Sequence, residues 1–135
     1  MPEISGVPSE DAKSVAKLEH SLNQLILTGR IMEGYELFYA EDIVMQELSD
    51  EPCRGKDANR QRQNQFLGLV QEVHSVKLLG GAIADNQAYS EWEYDITFKD
   101  GLRYLLSEVA VREWADGRVV RERFYWDRSK YPYEL

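Results

Sequence analysis

The feature that most constrains this chain is a change of period. Up to about residue 72, apolar side chains recur at three- and four-residue intervals; from residue 73 onward they alternate. Residues 73–84, 88–98, 102–114 and 119–127 read as four long strands. Asp85-Asn86-Gln87 joins the first pair, and Asp100-Gly101 and Asp116-Gly117 supply the Asp-Gly pairs of tight hairpins. The second strand alternates most cleanly, with Trp92, Tyr94, Ile96 and Phe98 on one face and Glu91, Glu93, Asp95 and Thr97 on the other. A meander with one apolar face must bury it against another layer, and the preceding sequence supplies helices. The pattern therefore predicts an α+β fold, with helices packed on one face of a curved antiparallel sheet.

The helical part begins after a loose arm at residues 1–8, which carries Pro2, Gly6 and Pro8. Ser9 is placed to cap a helix whose stripe is Val15, Leu18, Leu22, Leu25 and Ile26, ended by Thr28-Gly29-Arg30. A shorter helix follows, with Ile31, Tyr35, Leu37 and Phe38 as its apolar members. Ala40-Glu41-Asp42 reads as a turn, residues 43–47 as a short strand and residues 49–55 as a loop. A third helix is expected over 56–71, with Phe66, Leu67 and Val70 on one side. Residues 9–128 form one domain, and 129–135 an irregular tail.

Composition narrows the functions. A chain of 135 residues is long enough for one core without staples. Its 24 acidic against 16 basic residues give a net charge of −8, the wrong sign for nucleic acid or an anionic membrane surface. Cys53 is the single cysteine and His20 and His74 the two histidines, which excludes a disulfide framework, a Cys-rich zinc site and a three-His metal site. Gly80-Gly81 lacks the surroundings of a phosphate loop, and no cofactor is expected. No apolar run approaches a membrane span, and the first residues lack a signal peptide's basic start and apolar stretch; the expected location is the cytoplasm.

Three groups of residues then carry a family likeness: Phe38-Tyr39-Ala40-Glu41-Asp42-Ile43-Val44-Met45; Arg54-Gly55-Lys56-Asp57; and Trp92 with Tyr94 followed by the run from Trp114 to Tyr125. In this order they resemble the nuclear transport factor 2-like superfamily, most of all its SnoaL-like branch of polyketide cyclases and ketosteroid isomerases. The resemblance implies a cone of the cystatin-like type, with three N-terminal helices on a curved antiparallel sheet around a mostly apolar pocket. It also implies a homodimer through the opposite sheet face. It does not fix an activity, because the fold hosts isomerases, dehydratases, cyclases, hydrolases and non-enzymes.

Strand parity assigns the pocket wall to even positions: Trp92, Tyr94, Tyr104, Glu122, Phe124 and Trp126, with Met45 and Phe66 from the first strand and third helix. Glu47 ends an apolar strand face shared with Ile43 and Met45, where lost hydration raises a carboxylate toward a general base's range. The resemblance places the isomerases' catalytic acid at this strand end. The competing reading puts Glu47 in an exposed acidic loop with Asp50 and Glu51. Glu108 stands between Leu106 and Ala110 as a candidate acid, or as the ion-pair partner of Arg112. Glu122 has the right parity, although flanking Arg121 and Arg123 suggest a solvated strand. His74 is a candidate proton shuttle or a structural histidine, and His20 is expected to be exposed. No tyrosine occupies the first-helix stretch His20-Ser21-Leu22-Asn23-Gln24, where the isomerases carry their oxyanion donor. On the odd face, Glu91, Glu93 and Asp95 face Arg103, Arg121 and Arg123, interleaved with Tyr89, Leu105, Val109, Val111 and Tyr125, a pattern suited to a homodimer.

Two readings of function stay open. One is a cofactor-independent acid/base enzyme acting on a small apolar carbonyl compound by isomerisation, cyclisation or dehydration. The other is a non-catalytic ligand-binding or interaction module built on the same cone.

Overall fold

The computed structural model describes residues 10–130. The expected arm at 1–8, the Ser9 cap and residues 131–135 of the tail lie outside the described residues.

Helix α1 spans Glu10–Leu27, and α2 spans Ile31–Phe38. Gly29, at φ 80°, closes α1: the Arg30 N–H donates to the Leu25 carbonyl (2.8 Å) and the Gly29 N–H to that of Ile26 (3.1 Å). This left-handed cap turns the chain directly into α2. The buried stripe of α1 is Val15, Leu22 and Ile26, but Glu19 and Asn23 share it. Strand β1 (Tyr39–Glu47) follows without a break, so the expected turn at Ala40-Glu41-Asp42 is in fact strand. That reading had a physical basis. Pairing of β1 with the last strand slips between Tyr39 and Val44, and Glu41 and Asp42 are exposed along this irregular stretch. A two-residue strand β2 (Cys53–Arg54) lies within the expected loop and pairs with Val44 and Met45. Helix α3 is Lys56–Leu69; buried Asn59 fastens its start by donating to the carbonyls of Cys53 and Gly55, both at 2.9 Å.

The remaining strands are β3 (Val70–Ala84), β4 (Gln87–Phe98), β5 (Arg103–Ala115) and β6 (Arg118–Tyr125), followed by a 3₁₀ turn at Arg128–Lys130. Asp116 and Gly117 both have positive φ, 52° and 76°, as a tight primed hairpin requires. The sheet order is β2-β1-β6-β5-β4-β3. One expectation is corrected here: the sheet is mixed, because β1 runs parallel to β6. Helix α3 carries the chain from β1 to the far edge, and the meander walks back until its last strand meets β1 in the same direction.

One extra residue shapes β6. Trp114 is opposite Val119 and Glu113 is opposite Arg121, which leaves Val120 without a partner on β5. Val119 and Glu122 therefore both face inward despite opposite parity. The core between helices and sheet holds Leu22, Tyr35, Ile43, Trp92, Trp114 and Val119. No helix among the described residues is long and apolar enough to cross a membrane.

Candidate functional site

A cavity of about 680 Å³ lies between α3 and the concave face of the sheet. This is within the size range of small-molecule sites. Its apolar wall includes Phe66 from α3, Tyr94, Ile96 and Phe98 from β4, Leu106 from β5 and Phe124 from β6. Even positions of three adjacent strands face it, as the sheet's two-residue period dictates.

Three carboxylates interrupt this wall: Glu47, Glu108 and Glu122. The register brings the first two close. Glu47 is opposite Phe124, Phe124 is opposite Ala110, and Glu108 is the next inward-facing residue along β5. Glu47 is held by a tight turn. The Leu48 N–H donates to the Phe124 carbonyl (2.9 Å), the Asp50 N–H donates to the Glu47 carbonyl (2.9 Å), and Leu48 takes a left-handed φ of 51°. The Trp126 indole N–H donates to Glu47 Oε2 at 2.8 Å. Arg128 lies over the Trp126 ring, 5.3 Å from its centroid, and is paired with Asp50. Glu47 thus belongs to the cavity rather than to an exposed acidic loop.

Burial raises the Glu47 carboxyl above its ordinary value; the Trp126 hydrogen bond opposes this, and the charge of Glu122 adds to it. Glu108 is pushed up to about 8, first by burial and then by the charges of Glu47 and Glu122, against a hydrogen bond with Tyr94. Tyr94 is raised well above its ordinary value, mainly by burial and then by Glu108. At about 8, Glu108 holds a proton at neutral pH; at Glu47 the Trp126 hydrogen bond favours the charged form against burial. Replacing Trp126 with phenylalanine removes the opposing hydrogen bond, so the Glu47 pKa is expected to move further up. Carboxyl carbon chemical shifts followed against pH in the two proteins check this.

The Glu108 shift also sets a stability profile. Its folded value, about 8, lies above the ordinary 4.5, so protonation favours the folded state. The contribution is complete below about 4.5 and is lost as pH rises through about 8. Glu108→Gln is expected to remove this part of the slope, seen as a flatter plot of melting temperature against pH.

Behind the carboxylates stands a buried polar cluster. Arg112, 3% exposed, donates from Nε to Glu122 Oε2 (2.6 Å) and from Nη1 to Glu19 Oε1 (2.9 Å) and Asn23 Oδ1 (2.8 Å). The Tyr39 hydroxyl donates to Glu122 Oε1 at 2.6 Å, and the Trp114 indole N–H to Glu19 Oε1 at 3.2 Å. Burial opposes the charge on Arg112, but Tyr39, Glu122 and Glu19 outweigh it and hold the guanidinium well above its ordinary value. The ion-pair partners of Arg112 are thus Glu122 and Glu19, not Glu108. Glu122 is 2% exposed, against the expectation of a solvated strand: Arg121 and Arg123 point to the other face and say nothing about its surroundings.

Met45, Phe66, Tyr94, Phe124 and Trp126 line the cavity with the three carboxylates. Trp92 and Tyr104 do not. Trp92 is wholly buried behind the wall, donating to Ser90 Oγ (2.8 Å) and stacked on Tyr94, and Tyr104 packs edge-on against Phe98. His74 is not brought to the site either. It is exposed on the outer face, its Nε2 2.7 Å from Thr97 Oγ1 and its Nδ1 3.8 Å from Glu72. His20 is exposed. The sequence reading missed Glu19 and Asn23, which follow one another at four-residue spacing beside Leu22 and Ile26 on the buried stripe. Among the described residues no group of three or more His, Cys, Asp or Glu is arranged to hold a metal ion.

The fold and cavity define a class, the nuclear transport factor 2-like α+β proteins. The chain belongs to the SnoaL-like domain family, which matches residues 13–126. A candidate SnoaL-like polyketide cyclase from Mesorhizobium loti is 26% identical, with a TM-score of 0.76 over 83% of this chain and 98% of that one. A candidate isomerase from Bacillus subtilis is 20% identical, with a TM-score of 0.71 over 88% of this chain and 90% of that one. An epoxide hydrolase of the LEH-like type from M. tuberculosis is 17% identical, with a TM-score of 0.70 over 88% and 86%. The last two show likeness of fold alone. No curated protein sequence matches the chain.

Proposed function

We propose that this protein is a cofactor-independent acid/base enzyme acting on a small apolar carbonyl compound, in the manner of an isomerase, cyclase or dehydratase. The observation that carries the reading is a pair of carboxyl groups in one apolar cavity whose surroundings separate their proton affinities. Glu47 takes a proton from the carbon next to the carbonyl, and the C–H electron pair moves onto the carbonyl oxygen. Glu108, still protonated, donates to that oxygen. The proton now on Glu47 completes the reaction: it returns to another carbon, or goes to the oxygen of a second carbonyl of the same molecule that the enolate carbon attacks, or goes to a β-hydroxyl that leaves as water, and Glu47 is again a carboxylate. The name of the M. loti protein, a candidate polyketide cyclase, supports the cyclisation within this range.

The test is proton exchange in deuterated water. The wild-type protein is expected to wash deuterium into the α-position of members of a panel of cyclic ketones and diketones, and Glu47→Gln is not. Exchange by neither protein would leave a cavity that binds without turnover, which is the competing reading.

We further propose a homodimer through the outer sheet face, which exposes Tyr89, Leu105 and Tyr125. Of the charges expected to pair across this face, one pair is formed and one arginine is engaged elsewhere. Asp95 pairs with Arg103 at 2.8 Å, whereas Arg123 donates to the Leu48 carbonyl and covers the Tyr125 ring. Leu105→Glu is expected to convert a dimer into a monomer, measured as mass by light scattering.

A further inference from the structure

We propose that the cavity takes an organic cation: an apolar molecule carrying a protonated amine. The inference rests on the reading of this cavity as the ligand site. It starts from formal charge. Glu47, Glu108 and Glu122 line the cavity, and Glu19 stands directly behind Arg112. Against these four carboxylates the lining supplies Arg112 and Arg62. Lys56 and Arg60 of α3 are not in the lining and turn to Glu41, Glu36 and Asp57. With Glu108 protonated, as its raised pKa supports, three carboxylates remain against two guanidiniums. One negative charge is left over beside an apolar volume. A charge of that kind is costly without a counterion, and a monocationic ligand supplies one.

Hydrogen-bond capacity points the same way. The Arg112 Nε and Nη1 donors are committed to Glu122, Glu19 and Asn23, the Trp126 indole N–H to Glu47, and the Tyr39 hydroxyl to Glu122. The Glu47 carboxylate, which accepts from the Trp126 indole N–H, keeps acceptor capacity toward the cavity, and the protonated Glu108 keeps its carbonyl oxygen. The complementary ligand brings donors rather than acceptors. The rings of Phe66, Tyr94, Phe124 and Trp126 add faces on which an ammonium group is favoured. Trp126 already holds one cation in this way, Arg128. A carboxylate or phosphate ligand would meet like charge on the sheet side, where the donors are spent, and only the Arg62 guanidinium of α3 would offer it a charged partner.

Calorimetric titration of the full chain at neutral pH with phenethylamine, phenethyl alcohol and phenylacetate tests this, since the three share a ring and differ in charge. The amine is expected to bind about tenfold or more tighter than the alcohol, and the acid weakest. In a Glu47→Gln/Glu108→Gln protein the amine is expected to fall to the level of the alcohol, whose own affinity is retained and reports an intact cavity. An alcohol that binds as well as the amine, a preference for the acid, or no binding of the amine overturns the proposal from the wild-type protein alone. An amine preference that survives the double substitution also overturns it, because the cation then sits elsewhere on an acidic surface. The ranking requires no turnover, so it stands or falls separately from proton exchange.

Discussion

Replacing Arg112 with leucine is expected to lower the free energy of unfolding by about 3–5 kcal/mol. Arg112 is 3% exposed and holds two carboxylates that are themselves almost wholly buried, Glu122 at 2.6 Å and Glu19 at 2.9 Å. Leucine leaves both without their cation in a region water does not reach, and the Asn23 amide oxygen loses its donor. The loss is large against the roughly 5–15 kcal/mol that holds a domain together. Equilibrium unfolding in urea checks it as a lower midpoint at unchanged slope. A sharper comparison is the triple replacement of Glu19, Arg112 and Glu122 by leucine or methionine. That protein is expected to recover most of the loss, because a buried ion cluster contributes little once its desolvation is counted and the harm lies in breaking it by halves.

Glu47→Gln is expected to lower kcat by about 10²–10⁴-fold while leaving KM close to that of the wild type. Glutamine keeps the shape of the side chain and can still meet the Trp126 indole N–H through its amide oxygen, so the turn at Leu48 is retained. What it loses is the ability to accept a proton. Steady-state rates on any compound found to exchange its α-proton, with circular dichroism to show an unchanged fold, measure the effect. Glu108→Gln is expected to cost less, since an amide still donates a hydrogen bond to the carbonyl oxygen but cannot pass on a proton.

Much of this architecture is legible in the residues. The alternation of Trp92, Tyr94, Ile96 and Phe98 gives the strand and its inward face, and Asp116-Gly117 gives the hairpin, because both depend on local geometry alone. The parallel contact of β1 with β6 is not legible, since it depends on where α3 returns the chain. Parity also fails to report depth. Trp92 and Tyr94 share a face, yet one is core behind the wall and the other is wall. Glu122 was obscured by its neighbours Arg121 and Arg123, whose side chains leave from the opposite side of the strand. Glu19 and Asn23 were obscured by polarity, although the spacing that buries Leu22 and Ile26 buries them too. The candidate site was thus readable where it is a pattern along one strand, and hidden where it is a meeting of α1, β5 and β6.

The unpaired Val120 works like a frameshift written into the backbone. Upstream of it odd residues point inward; downstream even ones do, and so Glu122 and Phe124 reach the cavity while Arg121 and Arg123 remain outside. A strand in which Val120 took a regular place in the ladder, opposite Glu113, would keep its composition, its hairpin and its length. It would nonetheless present guanidiniums where the cavity now has a carboxylate and a ring, opposite an Arg112 that had lost its partner. The charge of the interior is thus encoded less by which residues β6 contains than by a single count along it.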